Sequence, residues 1–272
     1  MERTDFIKLP AAKKRIVVLG DPHGDLIGLI EVLDREDRPE VQIFSAGDNV
    51  GYSDGAMSSE MCRILMDRKI PSVTGNHEAW SPDGKLFLPA PGSGPNLTPE
   101  AHAWCQGLPI RIKIQAEAAP DVSMTLVHSL PEWGYVSADN ARSFLALEAA
   151  DVVFCGHTHR PGIYTVTEDR IDFAVGSLSV KNSPIRAALA PGKRFVVDAG
   201  SLARPNQGYK SQLEKGSYAA IDLEKRVVEV HGFSKKERLA ALMQRIVEEN
   251  TRKARDGGAP FDSSLAQDKP TA

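Results

Sequence analysis

Asp151-Val152-Val153-Phe154-Cys155-Gly156-His157-Thr158-His159 is an apolar run of strand type that ends at a glycine and is followed by two imidazoles one residue apart. A strand advances ~3.3 Å per residue, and a tight turn after glycine can swing both rings onto one point from two directions. That arrangement suits a metal ion; taken alone, it suits a pair of hydrogen-bonded loop histidines equally well. The neighbouring stretches decide between the two.

Toward the amino terminus the same pattern recurs. Val122 to Val127 is a strand-type run that ends at His128 and pairs with Ile110 to Ile114 across Glu117 to Asp121. Ile70 to Thr74 leads through Gly75 to Asn76, His77 and Glu78. Val41 to Ala46 ends in Gly47 and Asp48, and Arg15 to Gly20 delivers Asp21 and His23. Continuous apolar runs of this kind are those of strands buried on both faces. Between the first two, Leu26, Leu29, Ile30 and Leu33 recur at helical spacing, so strand, helix and strand form a parallel unit. Met57, Met61, Ile64 and Leu65 mark one side of a second helix over Ala56 to Met66, with its methionines as packing residues. Thr98 and Pro99 read as the N-cap and first-turn proline of a short helix through Cys105, and Ser137 to Glu148 reads as another.

Toward the carboxyl terminus, Ile163 to Val166 and Ile171 to Val175 pair across Glu168-Asp169, and Arg194 to Val197, Tyr218 to Leu223 and Val227 to Val230 supply further strands. Residues 1–14 are expected to be a loosely attached arm and residues 15–234 a single domain. Residues 235–250 are expected to form an amphipathic helix, with Leu239, Leu242, Met243 and Ile246 inward, and residues 251–272 a disordered tail. Trp80 to Leu97, with four prolines and three glycines, can continue neither helix nor strand and reads as a long loop over the strand ends.

A chain of 272 residues with 42% hydrophobic and 25% charged residues can bury a substantial core. Its net charge of -3 gives no general attraction for nucleic acid or anionic lipid. No apolar run approaches the ~20 residues of a membrane helix, and the first residues lack the apolar core of a signal peptide, so a cytoplasmic location is expected. Oligomeric state is left open. Cys62, Cys105 and Cys155 are odd in number and set among apolar residues, as packed free thiols are.

Collected at the strand ends stand Asp21, His23, Asp48, Asn76, His77, His128, His157 and His159. In an open α/β sheet, ligands bind beyond the carboxyl ends of the strands, so these residues can converge although they are spread over most of the chain.

The set Gly20-Asp21-Pro22-His23, Gly47-Asp48-Asn49, Gly75-Asn76-His77-Glu78, His128 and Gly156-His157-Thr158-His159 resembles the calcineurin-like metallophosphoesterase superfamily. Gly47 to Tyr52 and Ala199 to Pro205 look like its compact bacterial phosphodiesterase branch, and the resemblance covers Arg15 to Arg226. It implies an α/β fold of two facing mixed β-sheets flanked by helices. It also implies two divalent metal ions, with Asp21, His23, Asp48 and His159 on one, Asn76, His128 and His157 with Asp48 on the other, and Asp48 bridging. The mixed oxygen and nitrogen shell suits Mn, Fe, Co, Ni or Zn better than Ca or Mg. Two ions bring a charge of about +4 and two carboxylates about -2, which leaves about +2 for a phosphoryl group and a metal-bound hydroxide. The resemblance implies a small-molecule phosphate ester or nucleotide as substrate. His77 would stabilise phosphoryl charge or the leaving oxygen, and Glu78 would orient it. Tyr52, Trp80 and Trp133 are candidates for stacking a nucleobase, and Arg160 and Arg204 for touching phosphate. The alternatives are a phosphoprotein phosphatase and, from another class, a metal-binding interaction scaffold, which would have no reason to keep His77. Trp80 to Leu97 and an apparent insertion over Gly176 to Lys193 depart from the compact pattern.

Overall fold

The computed structural model describes residues 3–53, 55–79, 96–175, 184–202 and 215–235, together with Arg238, Ala240, Ala241 and Gln244. Its strands are β1 (Thr4–Leu9), β2 (Arg15–Leu19), β3 (Val41–Ser45), β4 (Arg111–Ala116), β5 (Met124–Val127) and β6 (Val152–Cys155), then β7 (Gly162–Val166), β8 (Ile171–Val175), β9 (Ile185–Ala188), β10 (Arg194–Asp198), β11 (Lys215–Asp222) and β12 (Val227–Ser234). The helices are α1 (Leu26–Glu36), α2 (Gly55–Asp67), α3 (Asn76–Ala79), α4 (Pro99–Gln106) and α5 (Ala141–Glu148). Two mixed sheets result, one of order β1-β4-β5-β6-β10-β7-β8 and one of order β3-β2-β11-β12-β9.

Alternation along each strand divides its residues between two apolar layers. Ile16, Val18 and Phe44 from the five-stranded sheet meet Ile112, Phe154 and Val197 from the seven-stranded one, and this is the central core. Val17, Leu19 and Ile43 point the other way, against Leu29 and Val32 of α1 and Met61 and Leu65 of α2. Phe144 and Leu145 of α5 cover Val153 and Val196 on the far side. The order is thus helix, sheet, sheet, helix, as expected for the fold class. Strands β2 and β3 run parallel, as do β5, β6 and β10, so their carboxyl ends form a rim of loops.

Thr98 caps α4 as expected, its side chain accepting from the Ala101 amide with Pro99 following. Asp25 caps α1 by accepting from Gly28. Cys62 and Cys105 are buried free thiols whose sulfurs lie 3.8 Å apart. Among the described residues, no helix is long and apolar enough to cross a membrane.

Three expectations are corrected, and a fourth is given structure. The stretch expected as an arm contains β1, which runs parallel to β4 with Thr4 opposite Arg111 and Leu9 opposite Ala116. An edge strand shows the core only one apolar face, here Ile7 and Leu9, so its sequence reads as polar. Ile70 to Thr74 makes only a single bridge, Ser72 to Ser45, because Pro71 lacks the N–H that a ladder needs. The apparent insertion contains β9, an edge strand paired with β12. Helix α5 begins at Ala141, after a turn in which Asn140 accepts from the Ser137 amide. Residues 80–95, 176–183 and the inward face expected for the carboxyl-terminal helix lie outside the described residues, as does the tail; Arg238, Ala240, Ala241 and Gln244 are helical.

Beneath the sheet, Arg15 donates to Glu36 (3.0 Å) and Glu229 (2.8 Å), and Arg38 and Arg186 reach the same two acids. The hydrogen bond from His231 holds the Glu229 carboxyl well below the usual carboxylate range against the cost of burial, with Arg15 and Arg186 adding to it. Arg15→Ala is expected to cost about 3 kcal/mol, the low end for breaking a buried pair, because the other cations remain. A group with a depressed folded pKa stabilises above its unfolded value of about 4.3 and loses that effect as pH falls through the folded one. Urea unfolding at pH 7 and pH 3 should therefore show a smaller gap between wild type and variant at the lower pH.

Candidate metal centre

Each loop at the carboxyl rim brings its residue to the same place. Three groups of metal-capable atoms form there, each with all atoms within 4.8 Å of one another: Asp21, His23 and His159; His23, Asp48 and His77; and Asp48, His128 and His157. Asn76 joins the third, its Oδ1 lying 3.0 Å from His128 Nε2. All eight residues collected at the strand ends are therefore assembled, and the structure adds His77, expected to hold no metal, to one of the groups.

Asp48 is the hub. Its Oδ2 lies 3.4 Å from His128 Nε2, 3.8 Å from His23 Nε2 and 3.9 Å from His77 Nε2. Its Oδ1 accepts from the His77 amide at 2.8 Å. Asp21 is anchored alike, accepting from the His157 amide (2.8 Å) while its Oδ1 lies 3.3 Å from His159 Nε2.

The imidazoles are aimed by carbonyl groups. His23 Nδ1 is 3.0 Å from the Val50 carbonyl and His128 Nδ1 is 2.8 Å from the Ala46 carbonyl. A carbonyl only accepts, so both Nδ1 atoms carry protons and both Nε2 atoms face the centre, the orientation metal-ligating histidines take.

The backbone is bent to achieve this. Asp21, His23, Asp48, His157 and His159 all have φ between 40° and 68°. Left-handed conformations cost non-glycine residues on the order of 1–3 kcal/mol each and gather at functional sites. Two glycines are set by close approach: a Cβ on Gly75 would lie 2.2 Å from Asp48 Oδ1, and one on Gly156 would lie 2.3 Å from Asp21 Oδ2.

Burial pushes His23 down to about 3, so it is neutral and can present a lone pair. His77 is lowered, again mainly by burial. Burial works against a charge on His128, but the adjacent Asp48 carboxylate overrides it and pushes the imidazole up to about 10.

The donor set fits divalent ions of the transition series. It offers two carboxylates, one amide oxygen and several neutral-capable imidazoles around a buried hub. His23 Nε2 and His159 Nε2 stand 3.1 Å apart, the spacing of two nitrogens on one ion at ~2.1 Å from each.

Glu78 is placed differently from expectation. Its carboxylate accepts from the amides of Gly75 (2.7 Å), Asp48 (2.9 Å) and Asn49 (2.7 Å), so it clamps the Asp48 turn and does not orient His77. Successive side chains on a helical turn diverge by about 100°, which sends Glu78 away from the imidazole beside it. Burial and the Asp48 charge push its carboxyl up to about 7, against the pull of those amides.

Sequence reasoning missed Tyr135, Asn49 and Asp198. Tyr135, largely exposed, stacks on the His157 ring with centroids 4.6 Å apart. Tyr52, also exposed, sets its ring against His23 (4.6 Å) and His77 (4.7 Å). Asn49 ties the Asp48 turn to Ser45 and Ser72. The repeated Gly-Asp and Gly-His endings do not reveal these roles, because Tyr135 belongs to no such ending, Asn49 acts on the turn and not on the centre, and Asp198 ends a strand that offers no ligand. Trp80, Arg204 and the Trp133 side chain lie outside the described residues; Arg160 is exposed.

The chain resembles a metallophosphoesterase from Sphaerobacter thermophilus, at 24% identity over 93% of this chain and 97% of that one with a TM-score of 0.61, and this likeness shows the fold. Weaker similarities include a predicted phosphoesterase of Streptococcus pneumoniae (16% identity, 82% and 90% covered, TM-score 0.42) and the zinc complex of Vps29 from Entamoeba histolytica (14%, 81% and 99%, TM-score 0.44). No curated protein matches the sequence. Residues 14–161, more than half of the chain and including every residue of the centre, match the model of the calcineurin-like phosphoesterases, and the chain belongs to that family.

Proposed function

We propose that the protein is a dinuclear metal-dependent hydrolase of phosphate esters whose substrate is a phosphodiester or a nucleotide. The observation that carries this reading is the hub: one buried carboxylate oxygen within 3.9 Å of three imidazole nitrogens that belong to separate loops. Asp21, His23 and His159 would hold one ion and Asn76, His128 and His157 the other, with Asp48 shared. When bound, such ions supply positive charge for the phosphoryl oxygens and acidify a water toward neutrality. Mn, Fe, Co, Ni and Zn all suit the donor set.

The chain's own residues do the rest. The carbonyls of Val50 and Ala46 keep two imidazoles facing the centre. His77 Nε2 faces the same space, 3.9 Å from Asp48 Oδ2, from where it would donate to a phosphoryl or leaving oxygen. Tyr52, against His23 and His77, and Tyr135, against His157, present exposed phenol rings beside the centre, which favours a leaving group with a planar ring.

Three outcomes are expected. Protein stripped by chelation and titrated with Mn²⁺ should bind two ions per chain, and Asp48→Asn should weaken both; a stoichiometry of one sinks the dinuclear reading. His77→Ala should lower kcat by roughly 10²- to 10⁴-fold with both ions retained, and lower it more for alkyl and nucleoside esters than for nitrophenyl esters if His77 is an acid. Fully metallated wild-type protein inert on monoesters, diesters, dinucleoside polyphosphates and phosphopeptides alike would point to a scaffold, and activity confined to phosphopeptides to a protein phosphatase. Tyr52→Ala and Tyr135→Ala should each raise KM for nucleoside phosphodiesters about tenfold relative to methyl diesters, since stacking a base contributes ~1–3 kcal/mol. An unchanged ratio removes the aromatic leaving-group preference.

A further inference from the structure

The order of the seven-stranded sheet places β10 between β6 and β7. Chain leaving β6 at Cys155 must therefore step over the end of β10 to enter β7 at Gly162. Asp198, the last residue of β10, stands opposite Cys155 on one side and opposite Gly162 on the other. The crossing above it, residues 156–161, is the stretch that carries His157 and His159.

Asp198 is almost wholly buried and belongs to none of the metal-capable groups. Its Oδ2 accepts from the Thr158 hydroxyl at 2.5 Å and its Oδ1 from the Gly200 amide at 2.9 Å. Thr158 Oγ1 in turn accepts from the Arg160 amide at 2.9 Å. Thr158 lies between two residues in the left-handed region, His157 at φ 68° and His159 at φ 56°. Two such residues flanking one position relax toward ordinary backbone unless something holds the position between them.

We infer that Asp198 is a positioning residue that pins Thr158 so that the imidazoles on either side face two different metal ions. This rests on the reading of His157 and His159 as ligands of separate ions. Loss of the pin should disturb both ions together, because one turn supplies a ligand to each. The hydroxyl between the two histidines is then required for its hydrogen bond, and a valine of equal size cannot replace it.

The test uses full-length protein stripped of metal. Mn²⁺ affinity is measured by calorimetry and thermal stability of the ion-free protein by calorimetric scanning, for Asp198→Ala, Asp198→Asn, Thr158→Val and the Asp198→Ala/Thr158→Val double variant. Asp198→Ala and Thr158→Val should each weaken Mn²⁺ binding at both sites ~10- to 100-fold, the range for partners that orient metal ligands. The double variant should be no weaker than the worse single one, because both changes remove the same bond. Asp198→Asn, whose amide can still bond to Thr158 and Gly200, should recover affinity to within about threefold. Wild-type Mn²⁺ affinity in Thr158→Val overturns the inference, whether or not Asp198→Ala folds. So does a fall in thermal stability of Asp198→Ala with affinity unchanged, which would mark a structural role. Wild-type protein that takes up no ion overturns the ligand reading as well, whereas two ions bound equally by wild type and variants overturns the positioning role alone.

Discussion

Asp48 is a carboxylate almost wholly removed from water, and everything around it answers that constraint. A buried carboxylate is tolerable only if paired and hydrogen-bonded. Its Oδ1 takes a backbone amide from the next strand-end loop, and its Oδ2 looks toward three imidazoles. Those imidazoles come from the ends of β2 and β5 and from α3, so one side chain couples the rims of both sheets. Its own loop is kept in a left-handed turn by Glu78, which receives the Asp48 and Asn49 amides there and the Gly75 amide of its own turn. An acid beside the site therefore acts through the backbone that carries the hub.

The two-sheet arrangement follows from the same economy. Parallel pairs bring successive carboxyl ends to one edge, and the facing of two sheets lets β2 and β3 from one and β5 and β6 from the other deliver side chains into a single small volume. Neither sheet alone could surround an ion. Gly156 lies where a loop of one sheet meets Asp21 from the other, and Gly75 lies against Asp48 beside β3, each with a carboxylate oxygen within 2.3 Å of where a Cβ would stand. A methyl group at either position would displace a carboxylate of the centre by about the margin that metal ligation requires.

Much of this was legible in sequence because buried strands and their terminal ligands are local signals. Val152 to Cys155 and the His-Thr-His after it can be read without knowing any partner, and so can Gly47-Asp48 and Gly75-Asn76. What stayed hidden depended on pairing. β1 hides because an edge strand shows the core half of a face, and β9 because four residues inside a stretch expected as an insertion resemble loop. Glu78 could be named but not given its role, since the direction of a side chain on a one-turn helix depends on where that turn is placed. Asp198 gave no signal at all: an acid ending a strand is common, and only the strand order shows that a ligand-bearing turn crosses above it.

The way the ligands are held bears on what the protein is without metal. In a site formed by the ion, the ligands would be free to point elsewhere until binding, and binding would be coupled to folding. Here the bonds that aim the proposed ligands are between chain groups: Val50 and Ala46 carbonyls on the imidazoles, the His157 amide on Asp21, the His77 amide on Asp48 and the Thr158 hydroxyl on Asp198. Each such bond is worth ~1 kcal/mol, more where a carboxylate accepts, and together they are of the same order as the strain of five left-handed residues. The chain's own hydrogen bonds can therefore bear the strain of this backbone, and on the proposed reading the affinity for an ion would not go into bending it.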